Sequence, residues 1–185
     1  TVVIFCIGLF LNLLAKSVFT HHLNFEELRY LGVMQRLAIG YGVTSLVAIT
    51  VKHKYFPAII LVTLAVYFLL LAMGDGFNLS ATNIVARFDV WALGTSHMYH
   101  DGGMAFDPEG LLSTLPAVCH VMVGFYCGKL LFSAKDNDEK IQRLFLVGTI
   151  LTFAGFLLSY GCPINKKVWS PTFVITTCVL ASSFL

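Results

Sequence analysis

Six apolar segments constrain this chain more than any other feature of its sequence. They cover residues 1–19, 32–51, 55–73, 111–132, 144–160 and 172–185. The complete segments approach the roughly 20 residues that an α-helix needs to cross about 30 Å of hydrocarbon. None alternates strictly between apolar and polar residues, as a membrane-spanning strand does. The pattern predicts an all-α polytopic integral membrane bundle of about six transmembrane helices, forming a single domain over residues 1–185.

The composition agrees with a lipid environment. Hydrophobic residues make up 57% of the chain and charged residues only 12%, about half of the roughly 25% usual in soluble domains. The net charge of +2 is too small to indicate a nucleic-acid partner. Five cysteines without a C-x-x-C pair are typical of packed apolar positions rather than of a zinc site. Because both chain ends fall inside apolar runs, we expect an internal fragment of a longer protein.

Alternating spans assign the connections to two membrane surfaces. Connections 20–31, 74–110 and 161–171 share one side, here called the first surface, and connections 52–54 and 133–143 share the second surface. The short basic connections of the second surface favour a cytoplasmic position for it. Polar residues are concentrated on the first surface, which holds Asp75, Asp89, Asp101, Asp107, Glu109, His97 and His100.

The connection over residues 74–110 is too long to be a simple link. Ile84, Val85, Phe88 and Trp91 recur at helical spacing within it. This stripe predicts a short helix at the membrane surface, anchored by Trp91, with Asp89 mostly off the apolar face.

Two polar groups at the first surface are open to two interpretations each. Asp107-Pro108-Glu109 is either the capped start of the fourth apolar helix or a carboxylate pair that orients an amine or sugar hydroxyls. Gln35 and Arg36 lie inside the second segment. Arg36 either extends to the interface or pairs with Asp89, Asp107, Glu109 or a phosphate.

The histidines leave further alternatives. His97 and His100 are ordinary loop residues, acid–base groups of a substrate cleft, or half of a metal site completed by His21, His22 or Cys162. We expect no metal, because the spacing alone is weak. His120 is expected to be a packed, hydrogen-bonded core residue.

The remaining polar and small residues have packing interpretations. Pro116 is expected to kink its helix. Gly124 and Gly128 are expected to admit a neighbouring helix. The run from Asn165 through Lys166 to Trp169 is either an interfacial anchor or a phosphate-binding patch.

Four sequence motifs, in their order along the chain, resemble those of a known family. They are Gly32-Val-Met-Gln-Arg-Leu-Ala, Leu93-Gly-Thr-Ser-His-Met-Tyr99, Phe106-Asp-Pro-Glu-Gly-Leu-Leu-Ser-Thr-Leu-Pro116 and Pro163-Ile-Asn-Lys-Lys-Val-Trp-Ser170. Together they resemble the heparan-α-glucosaminide N-acetyltransferase family and its bacterial relatives. The resemblance implies a membrane acyltransferase that transfers acetyl from acetyl-CoA, as co-substrate, to an amino sugar. It also implies a multi-pass protein of the bacterial cytoplasmic membrane (the lysosomal membrane for animal relatives).

The resemblance also guides the choice of site residues. It implies that the main catalytic histidine lies upstream of Thr1, and it predicts a small or apolar residue where His120 stands. Supporting catalytic residues are then His97, Asp107 and Glu109. Residues expected to bind acceptor, coenzyme A or the acyl oxygen are Gln35, Arg36, His100, Asn165 and Lys166. The expected partners are the lipid bilayer and a saccharide, with a homo-oligomer left open.

Two other functions compete with this hypothesis. A transporter would place charged residues along a permeation path, and it predicts internal repeats and paired broken helices, which the sequence lacks. A non-catalytic membrane scaffold would leave the one-sided polar residues without a role.

Overall fold

The computed structural model describes residues 1–20, 25–80 and 82–183. Within these residues the fold is all-α, as predicted. Its helices are α1 (Val2–Thr20), α2 (Val33–Thr50), α3 (Phe56–Met73), α4 (Ile84–Leu93), α5 (Thr114–Ser133), α6 (Asn137–Ser159) and α7 (Pro171–Ser183). Short 3-10 turns lie at His53–Tyr55 and Thr95–His97, and a two-stranded hairpin joins β1 (His100–Asp101) to β2 (Met104–Ala105).

Four helical segments of the described chain are long and apolar enough to cross a bilayer: Val33–Thr50, His53–Met73, Thr114–Ser133 and Asn137–Ser159. The apolar stretches Val2–Val18 of α1 and Pro171–Ala181 of α7 are shorter. The protein is therefore an integral membrane protein, and the count of six spans stays a prediction.

Helix α5 lies at the centre of the bundle, where it packs against α2, α3, α6 and α7. Phe56, Ile60 and Leu64 of α3 meet Cys119 and Met122 of α5 in a buried cluster. Val174 and Cys178 of α7 complete this cluster. The bundle thus positions the first turn of α5 between α2 and the connection before α7.

Close helix approach occurs at glycines other than those expected. A Cβ on Gly8 of α1 would lie 2.8 Å from the Gln35 amide of α2, and a Cβ on Gly40 would lie 3.0 Å from Val121. At Gly124 and Gly128 an added Cβ would meet no described atom within 4 Å. The prediction that these two glycines admit a neighbouring helix is therefore wrong within the described residues.

Helix α5 also begins later than predicted. Its first residue is Thr114, so Pro116 lies in the first turn, where a missing backbone N–H breaks no intrahelical hydrogen bond. The expected kink at Pro116 is absent for that reason. Residues 107–113 instead form turns that lead into the helix.

The short helix predicted in the long connection is present as α4. The Asn83 side chain caps it by accepting hydrogen bonds from the backbone N–H groups of Val85 (2.8 Å) and Ala86 (3.3 Å). Trp91 is 81% exposed, which suits the predicted anchor. Asp89, however, is fully buried together with Val85, so its predicted place off the buried face is wrong.

A second buried cluster joins two of the connections. Tyr67 and Leu71 of α3 pack with Val85, Phe106 and Val168. The Tyr67 hydroxyl donates a hydrogen bond of 2.5 Å to the Val168 carbonyl. The long connection and the connection before α7 therefore pack on the same end of α3.

Candidate functional site

The structure brings the three connections of the first surface together, as the alternation of spans predicts. Arg29, in the connection after α1, forms ion pairs with Asp107 and Glu109 in the long connection. Lys167, in the connection before α7, pairs with Asp101 of the hairpin. Ion pairs therefore join the long connection to each of the other two connections of this surface.

Asp107 organises the turn before α5. Its Oδ1 lies 2.5 Å from Arg29 Nη2 and its Oδ2 lies 2.9 Å from Arg29 Nε. It also accepts hydrogen bonds from the backbone N–H groups of Tyr99 (3.1 Å) and Glu109 (2.9 Å). The alternative that Asp107 caps α5 is wrong, because α5 starts at Thr114 and the carboxylate faces the long connection and Arg29.

Arg29 bridges two carboxylates, since its Nη2 also lies 2.5 Å from Glu109 Oε2. Partial burial alone would lower the Arg29 pKa, but the hydrogen bonds and negative charges of Asp107 and Glu109 raise it overall. The guanidinium therefore stays charged and fixes both acids.

Arg36 neither extends to the interface nor forms an ion pair with Asp89, Asp107 or Glu109, and its pairing with a phosphate stays a prediction. It is 6% exposed, and its Nη2 donates to the Pro108 carbonyl (2.6 Å) and to Ser113 Oγ (2.5 Å). It forms no salt bridge with any described carboxylate. Its Nε and Nη1 atoms are buried without a hydrogen-bond partner in the described part of the chain.

Trp169 stacks against Arg36, with the guanidinium carbon 4.6 Å from the indole centroid. The Trp169 backbone has φ of +52°, an uncommon left-handed conformation for this residue. The turn around it is closed by hydrogen bonds from Ser170 N to Asn165 O (3.0 Å) and from Lys167 N to Asn165 Oδ1 (2.9 Å). Trp169 therefore faces the protein interior rather than anchoring an interface, and Asn165 shapes the turn.

A cavity of about 250 Å³ opens beside Arg36 and Trp169. Its other lining residues come from α2, the turn before α5 and α5 itself: Val33, Leu37, Glu109, Ala117, His120 and Val121. The four apolar residues form walls around a guanidinium, a carboxylate and an imidazole. His120 is half-buried in this cavity with no hydrogen bond to a described residue, so the expectation of a hydrogen-bonded core histidine is wrong.

Asp89 of α4 stabilises the turn formed by residues 107–113. Its Oδ1 accepts a hydrogen bond of 3.0 Å from Leu112 N, whereas its buried Oδ2 has no partner among the described residues. Burial raises the pKa of Asp89 to about 6, although backbone N–H groups and Arg36 oppose the shift. A Cβ on Gly110 would overlap this carboxylate, so the glycine permits the close contact.

The other predicted residues lie outside the cavity. The Nδ1–H group of His97 donates to the Leu28 carbonyl (2.9 Å), and Nε2 forms a hydrogen bond of 3.2 Å with Tyr30 Oη. His100 is exposed on the hairpin, and Lys166 is exposed in the connection before α7. Gln35 faces Gly8 of α1.

The geometry does not support the alternative that His97 and His100 form half of a metal site. In residues 1–20, 25–80 and 82–183, no group of three or more histidine, cysteine, aspartate or glutamate side chains is arranged to hold an ion. His21 and His22 lie outside the described residues. Cys162 is buried beside Thr172, whose hydroxyl lies 3.6 Å from its sulfur.

Sequence reasoning missed Arg29 and the cavity position of His120. In the sequence, Arg29 is one of several basic residues near the first surface, and nothing in its spacing distinguishes it. A histidine inside an apolar segment was the available signal for His120, since ionisable residues inside spans often mark functional sites.

Comparison with known proteins gives one informative match. Heparan-alpha-glucosaminide N-acetyltransferase of Mus musculus is 31% identical to this chain over an alignment of 104 residues. The match covers 45% of this chain and 15% of the mouse protein. No family model matches the chain. The identity supports a distant relationship to this N-acetyltransferase.

Proposed function

We propose that the protein is a membrane-bound acyltransferase that transfers acetyl from acetyl-CoA to the amine of an amino sugar. The observation that carries the proposal is the cavity in which Arg36, Glu109 and His120 meet. The distant relationship to an N-acetyltransferase supports the same class of reaction.

The chemistry of N-acetylation requires a donor for developing negative charge. When an amine attacks a thioester carbonyl, the carbonyl oxygen becomes an oxyanion that fixed N–H groups stabilise. Arg36 supplies a buried guanidinium whose Nε and Nη1 have no described partner. Its third nitrogen, Nη2, is held by Pro108 and Ser113, so the group is fixed before the substrate arrives.

The carboxylates are suited to the acceptor. Glu109 lines the cavity, and its side chain remains 23% exposed while it pairs with Arg29. A carboxylate oxygen in this position accepts hydrogen bonds from sugar hydroxyls or an amine. Asp107 is buried and already accepts bonds from Arg29 and two backbone N–H groups, so its role is to hold Arg29 and Glu109 in place.

The exposed cations of the first surface suit the donor. Lys166 is exposed next to the cavity-lining Trp169 turn and has no ion pair with a described residue. A flexible ammonium group at this rim is able to contact coenzyme A phosphates. His97, His100, Gln35 and Asn165 do not line the cavity, and we propose supporting roles for them in shaping the surrounding turns.

Acetyl transfer by the full-length protein, purified and reconstituted in lipid vesicles, tests the proposal. Labelled acetyl-CoA and glucosamine serve as substrates for the wild type, Arg36→Gln and Arg143→Gln. Arg143 is a matched arginine control, because it pairs with Glu139 at the second surface. We expect Arg36→Gln to lower kcat by about 100-fold or more, as loss of an oxyanion donor does, and Arg143→Gln to match the wild type.

Two results would contradict the proposal. One is counterflow of a sugar across the vesicle membrane by a wild-type protein that transfers no acetyl group. The other is acetyl transfer that Arg36→Gln and Arg143→Gln support equally well.

A further inference from the structure

His120 is a titratable side chain that the proposed oxyanion and acceptor contacts leave without a role. It projects from the second turn of α5 into the cavity that Arg36 and Glu109 also line. The centroid of its ring lies 6.2 Å from that of Trp169. The imidazole is therefore on the cavity wall rather than on the lipid-facing side of the helix.

The environment of His120 differs from that of a structural histidine. Buried ring nitrogens are normally hydrogen-bonded, and a neutral imidazole offers one donor and one acceptor. No described residue bonds to the His120 ring. His53, by contrast, uses Nε2 toward the Ala48 carbonyl (3.1 Å) and Nδ1 toward Lys129 (2.9 Å). The cavity is thus the direction from which a ligand can bond to His120.

The charged groups beside His120 determine which ligand groups bind next to it. Arg36 of α2 and Glu109 of the turn before α5 are the charged residues that line the cavity with it. The sides contributed by Val33, Leu37, Ala117 and Val121 are apolar. An amine nucleophile entering between these groups has an imidazole, a carboxylate and a guanidinium as its polar neighbours.

We infer that His120 accepts the proton of the attacking amine, an assignment that rests on the proposed acyltransferase function. The amine nitrogen forms a C–N bond to the thioester carbonyl carbon and gives one proton to the imidazole. Collapse of the tetrahedral intermediate breaks the C–S bond. The imidazolium then returns the proton to the leaving thiolate, so the products are an amide and a free thiol.

This role conflicts with one expectation from the sequence. The family resemblance implies a main base upstream of Thr1 and predicts a small or apolar residue at position 120. A base outside the described residues would make His120 dispensable, whereas the geometry of the cavity makes it the acceptor. Substitution of His120 separates the two.

The test compares the wild type, His120→Gln and His53→Gln in the vesicle assay of acetyl transfer, each over a range of pH. His53→Gln is the matched control, because His53 lies at the second surface and takes no part in the cavity. We expect His120→Gln to lower kcat by about 100-fold, in the range typical of a lost general base. The KM for acetyl-CoA should stay within about threefold of the wild type, as expected when only a transition-state interaction is lost. The defect should shrink at high pH, where more of the amine is already unprotonated.

A second measurement does not depend on the variant folding. Diethyl pyrocarbonate modifies accessible, unprotonated imidazoles, and mass spectrometry locates the modified residue in the wild type. We expect a non-reactive thioether analogue of acetyl-CoA together with glucosamine to slow modification of His120 several-fold and to leave His53 unaffected. Equal modification of His120 with and without these ligands would overturn the assignment.

The outcomes distinguish the role of His120 from the proposed acyltransferase function. Acetyl transfer that His120→Gln retains within about threefold of the wild type overturns the role of His120 and leaves the proposed function intact. Absence of any transfer by the wild type overturns the proposed function and the assignment with it. Loss of transfer in His120→Gln with an unchanged melting temperature, together with ligand protection of His120, supports the assignment.

Discussion

Arg29 and Asp107 form a two-point ion pair, with Nη2–Oδ1 at 2.5 Å and Nε–Oδ2 at 2.9 Å, across 78 residues of sequence. The pair joins the connection after α1 to the turn before α5. Because Asp107 is buried, its carboxylate depends on Arg29 for a neutralising charge. The contact therefore fixes where Glu109, the cavity carboxylate, is held.

Replacement of Arg29 by glutamine should be strongly destabilising. Breaking a buried ion pair by removing one partner costs about 3–5 kcal/mol, because the remaining charge stays buried without compensation. We expect the free energy of unfolding in detergent to fall by about 3 kcal/mol for Arg29→Gln. The double variant Arg29→Gln with Asp107→Asn should recover part of this loss.

Lys167→Gln provides the comparison for that measurement. The Lys167 side chain is 56% exposed where it pairs with Asp101, and exposed ion pairs contribute about 1 kcal/mol or less. If Arg29→Gln proves no more destabilising than Lys167→Gln, the Arg29–Asp107 pair is not the buried constraint described above.

The sequence was sufficient for the all-α fold class but not for the contacts within the site. Segment lengths predicted helices, because hydrocarbon thickness sets the length of a span. The opposite directions of consecutive spans predicted the shared surface. The pairing of Asp107 with Arg29 rather than Arg36 depends on where α5 begins. Helix starts are set by tertiary contacts such as the Asp89–Leu112 hydrogen bond, which no local pattern reveals.

The position of α4 illustrates the same limit. Its apolar stripe correctly predicted a short helix, whereas the anchoring of Trp91 at the membrane surface stays a prediction. The stripe did not predict the burial of Asp89. Asp89 is buried where it accepts a hydrogen bond from a backbone N–H of another element, and a pattern of apolar residues does not reveal such a contact. The side chain of Trp169 was likewise misjudged, because its direction depends on a turn with positive φ.

The stability of the protein should depend on pH through Asp89. Its pKa is raised from an ordinary value of 3.8 to about 6 in the folded protein, chiefly by burial. The folded state therefore binds the proton more tightly than the unfolded state does, so this group makes stability fall as pH rises from about 4 to about 6. Above pH 6 the full cost remains, up to about 3 kcal/mol for a shift of roughly two pKa units.

Asp89→Asn should remove that dependence. The asparagine carbonyl can still accept the Leu112 N–H bond, and no charge is buried. We expect the variant to unfold at a higher denaturant concentration than the wild type at pH 7.5, with a difference that disappears near pH 4. An equal difference between the two proteins at both pH values would show that ionisation of Asp89 is not its cause.

Gly8 and Gly124 should respond oppositely to the same substitution. A Cβ on Gly8 would lie 2.8 Å from the Gln35 side chain, whereas a Cβ on Gly124 would meet no described atom within 4 Å. We expect Gly8→Val to lower the melting temperature through overpacking worth about 1–3 kcal/mol. Gly124→Val should leave it nearly unchanged. Equal losses at both positions would contradict the packing of α1 against α2.

His97 should behave as a positioning residue rather than as a catalytic one. Its two ring nitrogens bond to Leu28 O and Tyr30 Oη, and its ring stacks on Tyr30 with centroids 4.0 Å apart. We expect His97→Ala to lower the free energy of unfolding by about 0.5–1.5 kcal/mol, the net contribution of a typical hydrogen bond, since both bonds of His97 are partly or fully exposed. Any residual acetyl transfer should keep the shape of the wild-type pH–rate profile. A profile that loses one titration in His97→Ala would assign proton transfer to His97 instead.

The cavity between Arg36 and Trp169 requires that three connections meet at one membrane surface. Labelling with a membrane-impermeant thiol reagent in sealed vesicles tests this most directly, in a background where the five native cysteines are replaced by alanine. The reporter substitutions are Glu27→Cys, His100→Cys and Lys166→Cys at the first surface and Lys135→Cys at the second. The first three should react from the same side and Lys135→Cys from the other. Reaction of Lys166→Cys from the side of Lys135→Cys would separate Trp169 from Arg36 and contradict the existence of the shared cavity.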